Sequence, residues 1–448
     1  TAQPVAAVVQ QSAVIGDVTA AALTTRKILD VNTIKQFTDN LVIPFVLYDA
    51  KVTNNVQVGL RQISQQVLPV GFPKTTLWAY GNPDKPETFN HPSGTIENTE
   101  FIPVTVTWLN ELVVDPVTCR NAPTSDACQY LVHVLQDKYG VPIVDQTLYW
   151  AAPNQKCADG IKRSDCTGGT ADPYYGPVPT TVHVHGAHVD YRSDSFPESW
   201  YLPKAKNIPK GHVTSGRRYS TKGAYPTTKP SNPGSAVYNY DNSQGTSTLF
   251  YHDHAMGVTR LNVYAAAGGF WLIRKSKSSD YFLDSKQKFP GPPPIYGQDP
   301  NSDQAVRKTI REIPLAIQGV SFYDDGNLFY PANRPYNSKC DAGDVFANTV
   351  GMSSIPFLPK SDISPIWNPE AYFSTMVVNG KTWPILEVAP ERYRFRLLSL
   401  QDSAFLNLLL LVSGTRTELP FYMIGSEQGM LPNVVGVKQG GYTVYDNT

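Results

Sequence analysis

The 448-residue sequence carries no excess of either charge and has a small charged fraction. Its 38 Lys and Arg balance its 38 Asp and Glu, and charged residues make up 17% of the chain. Nucleic acids and anionic membranes recruit strongly basic surfaces, so this balance argues against either as the main partner. The chain also lacks an apolar run of the roughly 20 residues that cross a bilayer as a helix, and we therefore predict no transmembrane segment.

Cysteine is scarce, with five residues in the chain. Cys119 and Cys128 share a loop-like stretch, and Cys157 and Cys166 repeat the same spacing in a second one. Neither pair has the close cysteine spacing usual at zinc, so two local disulfides are the simpler interpretation. They predict an oxidising compartment: secreted, periplasmic, or at the cell or spore surface. Cys340 is left either free or bonded to something outside this chain.

Proline, glycine and tyrosine are abundant instead, at 37, 32 and 25 residues. This composition favours an all-β fold of short strands and turns, and we expect antiparallel β-sandwiches. Strand-like runs occur at 100–114, 180–186, 247–254 and 266–274, and again at 311–323, 374–388, 393–400, 405–412 and 421–429. Between the two groups, residues 275–303 are rich in Pro, Ser and charge, which predicts a linker between two β-domains. The basic stretch 202–236 is interpreted as a surface loop in preference to a functional lid.

Four of the eight histidines occur in two copies of His-x-His. Side chains of a strand alternate between its faces, so TTVHVHG puts His183 and His185 on one face. In the same way, STLFYHDH puts His252 and His254 together. If the two strands face each other, four imidazoles share one space, and imidazole suits copper, zinc, iron or nickel.

Two alternatives compete with a shared metal cluster. A single His-x-His in a strand is more often a surface or hydrogen-bonded polar pair, but two copies in apolar strands favour metal. His183, His185 and His188 also match the histidine spacing of metallo-β-lactamase-type zinc hydrolases, although Ala187 replaces the expected Asp and the second pair is left unexplained. The isolated His91, His133 and His212 lie in polar or loop contexts and are assigned no role.

Two segments closely resemble the first two copper motifs of the multicopper oxidases, namely HVHGAHVDYRSDSFPESW (183–200) and LFYHDHAMGVTRLNVYAAAGGFWLIR (249–274). Within that family they are most similar to the laccase, spore-coat laccase, bilirubin oxidase and phenoxazinone synthase group. Supporting matches lie at 40–51, 75–81, 377–400 and 421–432. The resemblance covers nearly everything from about residue 35 onward.

The resemblance implies tandem cupredoxin-like Greek-key β-sandwich domains. We expect an N-terminal extension at 1–34, a first domain at 35–274 that carries both His-x-His motifs and the loop insertion 202–236, the linker 275–303, and an apparently incomplete second domain at 304–448. The third domain, with the mononuclear copper, is expected to be absent from this chain.

The resemblance also implies a ligand set. His183 corresponds to a ligand of the type 2 copper, and His185, His252 and His254 to ligands of the binuclear type 3 coppers. Asp194 corresponds to an acidic residue near the dioxygen site, where it would steer protons or tune a bound water. A loop Asp that caps a turn is the alternative interpretation of this residue.

The mononuclear type 1 copper of the family needs a His-Cys-His run, and no cysteine here is flanked by histidine. The resemblance therefore implies part of a laccase-like oxidase, which supplies half of the trinuclear copper ligands. The whole enzyme would couple one-electron oxidation of phenolic or aromatic substrates, or metal ions, to four-electron reduction of dioxygen to water. Such a part is active only with a C-terminal cupredoxin domain on another chain or fragment. A non-catalytic cupredoxin-like scaffold or assembly subunit is the alternative.

Overall fold

The computed structural model describes residues 27–50, 53–135, 176–219, 233–274, 311–330, 373–427, 429–438 and 441–445. The predicted linker at 275–303, the cysteines Cys157, Cys166 and Cys340, and most of the predicted N-terminal extension lie outside these residues. So does the middle of the predicted loop insertion.

Strands dominate the described residues, and two short helices accompany them. The first group of strands is β1 Val46–Asp49, β2 Asn55–Gln65, β3 Thr75–Gly81, β4 Ser93–Thr99, β5 Val104–Asn110, β6 Val182–His185, β7 Ser235–Tyr240, β8 Ser247–Asp253 and β9 Gly268–Arg274. The second group is β10 Glu312–Phe322, β11 Leu328–Phe329, β12 Thr375–Val378, β13 Lys381–Thr382, β14 Arg394–Ser399, β15 Leu410–Leu411, β16 Glu418–Leu419, β17 Phe421–Ser426, β18 Gly429–Lys438 and β19 Gly441–Tyr445. The helices are α1 Pro116–Asn121 and α2 Thr259–Tyr264.

The first group folds into a two-sheet sandwich. One sheet has the strand order β1-β4-β9-β8-β6 and the other has the order β3-β2-β5-β7. Alternate residues of both sheets face inward and form a core rich in aromatic side chains, among them the fully buried Trp78, Trp108, Tyr251 and Trp271. Burial of aromatic surface on this scale supplies much of the stability of such a domain.

The predicted all-β sandwich is confirmed, but its sheets are mixed and not antiparallel throughout. β1 pairs with β4, β4 with β9, and β2 with β5 in parallel, while β6, β8 and β9 are joined in antiparallel order. Parallel neighbours need long crossover connections, and those depend on distant parts of the chain that a local strand pattern does not reveal.

The outer face of the β1-β4-β9-β8-β6 sheet packs against the second group of strands. Phe270 and Leu272 of β9 form a small core there with Ala316 of β10 and Leu398 of β14. Phe250 of β8 packs against the same core. The two groups of strands are therefore in direct contact.

A buried ion-pair network reinforces this contact. The carboxylate of Glu312 lies 2.6 Å from the guanidinium of Arg274, at the end of β9, and 2.8 Å from that of Arg396 in β14. Arg274 also pairs with Glu97 of β4, and Arg396 donates to Thr248 Oγ1 of β8 at 2.6 Å. Burial alone would raise the pKa of Glu312, but the surrounding arginines hold it well below its usual value.

The strands after Arg394 are less covered than those of the sandwich. Residues 405–412, FLNLLLLV, were predicted as a strand, but β15 holds only Leu410 and Leu411 of this run. Large apolar side chains are exposed throughout this part of the chain, among them Phe405, Leu409, Leu410, Leu411, Tyr442 and Val444. Exposed apolar surface of this extent marks a surface that another molecule or segment covers.

A disulfide joins Cys119 in α1 to Cys128, which confirms the first predicted cysteine pair. Among the described residues, no helix is long and apolar enough to cross a membrane.

Candidate metal centre

The two His-x-His motifs lie on neighbouring antiparallel strands of one sheet. β6 and β8 do not face each other across a space but pair directly, with His183 opposite His252 and His185 opposite Phe250. The main-chain N–H of His254, just beyond β8, donates to Thr181 O at 2.8 Å. Since paired residues of neighbouring strands project to the same side, all four imidazoles lie on one face of the sheet.

This face is the outer one, which continues into the contact with the second group of strands. β6 is an edge strand of the sheet, so His183 and His185 lie at its border. His185 is exposed and His252 is 7% exposed. The cluster therefore lies at the border of the layer between the two groups of strands, with one side open to solvent.

Main-chain carbonyls hold two of the imidazoles in one tautomer. Nδ1 of His183 lies 2.7 Å from Asp194 O, and Nδ1 of His252 lies 2.7 Å from Asp253 O. A carbonyl oxygen only accepts, so in both rings Nδ1 carries the proton and donates it. Nε2 of each ring is therefore left with its lone pair, which is the form that binds a metal ion.

The ring nitrogens converge closely enough for a shared ion. One nitrogen from each of His183, His185 and His252 can be chosen so that all three lie within 4.8 Å of one another. Nε2 of His252 and Nδ1 of His185 are 3.4 Å apart. Because metal–nitrogen bonds are about 2.0–2.1 Å long, two nitrogens on one ion stand at most about 4 Å apart, and this pair fits.

His254 completes the cluster beside His183. The centroids of these two rings are 4.8 Å apart, and those of His252 and His254 are 5.8 Å apart. The structure thus brings together all four predicted histidines, three of them in one tight set of donors. That they bind copper remains a prediction.

Burial favours the neutral form of His185, His252 and His254. Burial, to which the neighbouring imidazoles add, lowers the pKa of His252 to about 3. Burial also lowers the pKa of His254 and of His185, and the proximity of His183 adds to both shifts. A neutral imidazole keeps its lone pair, so at neutral pH protons compete weakly with a metal ion for these rings.

Asp194 contacts His183 through two oxygens. Its main-chain O is the closer, at 2.7 Å from Nδ1, and its Oδ1 lies 3.3 Å from the same nitrogen. The hydrogen bond from His183 lowers the pKa of the Asp194 carboxyl, so this side chain is ionised at neutral pH. The side chain is 45% exposed and therefore lies between solvent and the cluster.

Sequence reasoning missed two residues at this centre. Phe250 stacks on His185 and His252, with ring centroids 5.0 Å and 4.7 Å away. Asp253 points to the opposite face and is 0% exposed. Burial raises the pKa of its carboxyl to about 7. Strand alternation could have signalled both, since Phe250 shares the face of His252 and a charged Asp253 shares the face of the core.

The other histidines stay outside the cluster. His188 is exposed, and the zinc-hydrolase arrangement with His183 and His185 is not formed. His91 and His133 lie in loops, as predicted, but both are buried, at 4% and 5% exposed. Burial lowers the pKa of both to about 4.

A β-sandwich whose edge carries a cluster of four imidazoles is a cupredoxin-like fold with a candidate metal centre. Its fold matches that of the McoA multicopper oxidase 2F4 variant of Aquifex aeolicus, with a TM-score of 0.50 and 15% identity over 91% of this chain and 54% of that one. No protein-family model matches the chain.

Curated relatives carry the comparison beyond the fold. A laccase of Bacillus stratosphericus is 34% identical over 258 residues, which cover 58% of this chain and 37% of that protein. A laccase of Bacillus subtilis is 28% identical over 406 residues, which cover 90% of this chain and 56% of that protein. The chain thus spans about half the length or less of these relatives. The chain is similar to laccases and multicopper oxidases over most of its length, and this similarity implies copper as the metal of the histidine cluster.

Proposed function

We propose that the chain is part of a laccase-like multicopper oxidase. The whole enzyme couples one-electron oxidation of phenolic or aromatic substrates, or of metal ions, to four-electron reduction of dioxygen to water. In this proposal His183 serves the type 2 copper, and His185, His252 and His254 serve the type 3 coppers. The observation that carries it is the convergence of the four imidazoles on one face of β6 and β8.

The donor set fits this assignment. Copper accepts imidazole nitrogens, and the two main-chain carbonyls leave Nε2 of His183 and His252 available. Bound copper would supply reversible one-electron transfer and the place where dioxygen is reduced. The chain itself fixes the tautomers of His183 and His252, and burial favours the neutral form of His185, His252 and His254.

We propose that Asp194 handles protons at Oδ1. The carboxylate reaches solvent on one side and Nδ1 of His183 on the other. Its lowered pKa keeps the carboxylate ionised at neutral pH, so that it can accept a proton.

We propose that the partner of this chain is a C-terminal cupredoxin domain with the mononuclear type 1 copper, on another chain or a longer polypeptide. The support is the exposed apolar surface of residues 395–445, which such a domain would cover. Dioxygen and a small reductant are the substrates, and the compartment is oxidising, as the Cys119–Cys128 disulfide favours.

The experiment is metal analysis and absorption spectroscopy of the assembly purified from its source. We expect copper in excess of one ion per chain, a second polypeptide segment with His-Cys-His, and the blue band of a His₂Cys copper site. An intact assembly without copper contradicts the proposal and favours the scaffold alternative. Zinc in place of copper would contradict the copper assignment.

A further inference from the structure

We infer that Asp253, Asn262 and His133 form a buried hydrogen-bond chain that positions His252 and His254 for metal binding. The inference rests on the proposed metal site and deepens it. These three residues act through the ligands, from the opposite face of the sheet, and none of them is a ligand itself.

The chain of contacts begins at the Asp253 carboxylate, which three donors hold. Oδ1 accepts from the main-chain N–H of Thr181 at 3.0 Å. Oδ2 accepts from the N–H of Ala255 at 3.0 Å and from Nδ2 of Asn262 at 2.8 Å. The donors come from the start of β6, the end of β8 and helix α2, so this one side chain joins three elements and its orientation is fixed.

The main chain of Asp253 transmits that orientation to the ligands. Its carbonyl oxygen is the acceptor for Nδ1 of His252, at 2.7 Å. Thr181, whose N–H binds the carboxylate, accepts through its own carbonyl from the N–H of His254 at 2.8 Å. The fixed Asp253 side chain therefore fixes the position of the Asp253 carbonyl, which orients His252. Through Thr181 it also fixes the backbone position of His254.

Asn262 and His133 support the carboxylate from behind. Asn262 is 0% exposed, and its Oδ1 lies 3.0 Å from Nε2 of His133. Nδ1 of His133 accepts from the N–H of Leu135 at 3.1 Å, so Nε2 carries the proton and donates it to Asn262. The ring of His133 also packs on Trp78, with centroids 4.5 Å apart.

The donors and acceptors of this hydrogen-bond series all follow one order, which distinguishes the series from an ordinary buried polar pair. Each donor has an acceptor in order, from Leu135 through His133 and Asn262 to Asp253, and the series ends at the peptide between the two ligands. Partners of metal-binding histidines typically change metal affinity about 10- to 100-fold when they are removed. We expect a change of that size here.

The test compares two Asn→Leu variants of the full 448-residue chain. Asn262→Leu removes the contacts to His133 and Asp253. Asn98→Leu removes an equally buried amide in β4, whose Nδ2 donates to Leu272 O at 3.2 Å, away from the histidines. We expect both metal-free variants to unfold at a lower temperature, and only Asn262→Leu to bind Cu²⁺ about 10- to 100-fold more weakly in chelator competition. Its Cu²⁺ electron paramagnetic resonance spectrum should also change.

A second pair of variants tests the same inference if Asn262→Leu does not fold. His133→Gln keeps a side-chain N–H that can donate to Asn262, and His133→Leu does not. We expect His133→Gln to restore most of the Cu²⁺ affinity that His133→Leu loses.

Parental Cu²⁺ affinity and spectrum in the folded Asn262→Leu variant, or equal affinity in the two His133 variants, would overturn the inference. Both results leave the proposed copper site intact, because copper still binds. An unaltered chain that binds no Cu²⁺ contradicts the proposed function instead.

Discussion

The two faces of the β6–β8 pair differ in whether their polar side-chain atoms are hydrogen-bonded within the protein. On the outer face, ring nitrogens of His183, His185 and His252 point toward one another and are available to a ligand. On the inner face, both carboxylate oxygens of Asp253 are hydrogen-bonded and the residue is completely buried. Burial of unpaired polar groups is costly, so the inner face satisfies them while the outer face leaves them for a metal.

The difference shows that one strand pair can carry candidate metal ligands on one face and the residues that position them on the other. Strand alternation places Asp253 between two ligands in sequence and on the other side of the sheet in space. The rigid face can therefore hold the ligands without competing for the ions. Rigid support of this kind reduces the reorganisation that metal binding requires.

The largest expected effect comes from removing a ligand from the outer face. We expect His252→Ala or His254→Ala to abolish dioxygen reduction in the complete assembly, because both rings serve the type 3 coppers in our assignment. Neither ring serves the mononuclear copper. The blue band should persist, and His188→Ala, an exposed histidine outside the cluster, should change neither property. Oxygen uptake and absorption spectra measure both. Loss of the blue band with intact type 3 signals would show that the assignment is wrong.

The next effect concerns the buried ion pairs that hold the outer face against the second group of strands. Glu312→Gln leaves Arg274 and Arg396 buried without their counter-charge, and we expect a loss of about 3–5 kcal/mol in the free energy of unfolding at neutral pH. Glu87→Gln, at an exposed position, should change it little. Chemical denaturation measures both, and equal stability of the two variants would contradict the role of the network.

The same network predicts a pH dependence. The pKa of Glu312 is lower in the folded chain than its ordinary value of 4.5, so its ionised form stabilises the fold above that value. This stabilisation declines as the pH falls below 4.5, and the difference between the parent chain and Glu312→Gln should shrink with it. A constant difference in unfolding free energy between pH 7 and acid conditions would contradict this.

A smaller effect is expected at Asp194. Asp194→Asn keeps the main-chain carbonyl that fixes His183 and removes the carboxylate that we propose to handle protons. We expect copper content to stay unchanged and dioxygen reduction in the complete assembly to slow by roughly 100-fold, at the lower end of the usual range for general acid–base groups. A parallel loss of copper would instead assign the side chain to holding His183.

The smallest effect tests the aromatic residue of the outer face. Phe250→Leu keeps an apolar side chain and removes the ring that stacks on His185 and His252. We expect Cu²⁺ affinity to fall by about 2- to 10-fold, because such ring contacts contribute about 0.5–1.5 kcal/mol. The matched change Phe270→Leu, in the same outer core but on β9, should leave Cu²⁺ affinity unchanged.

Local patterns predicted much of this architecture. Alternation in TTVHVHG and STLFYHDH correctly placed the histidine pairs on single faces, and both segments form strands close to the predicted bounds. Alternation is a property of a single strand, so a short window of sequence is enough to show it.

The remaining features depend on contacts between distant segments. The direct pairing of β6 with β8, the parallel pairs of the sandwich and the contact between Asn262 and His133 all join residues far apart in sequence. The run FLNLLLLV has the composition of a strand, yet the described chain offers it little pairing beyond β15 and β16. Composition records what a segment favours, and pairing decides what it forms.

The most direct test of the central claim is copper analysis of the 448-residue chain beside a variant in which His183, His185, His252 and His254 are all replaced by Ala. Our account predicts that the parent chain retains copper after dialysis and that the variant, still folded by circular dichroism, retains none. Equal copper in both proteins, or a parent chain that holds no copper at all, would contradict it.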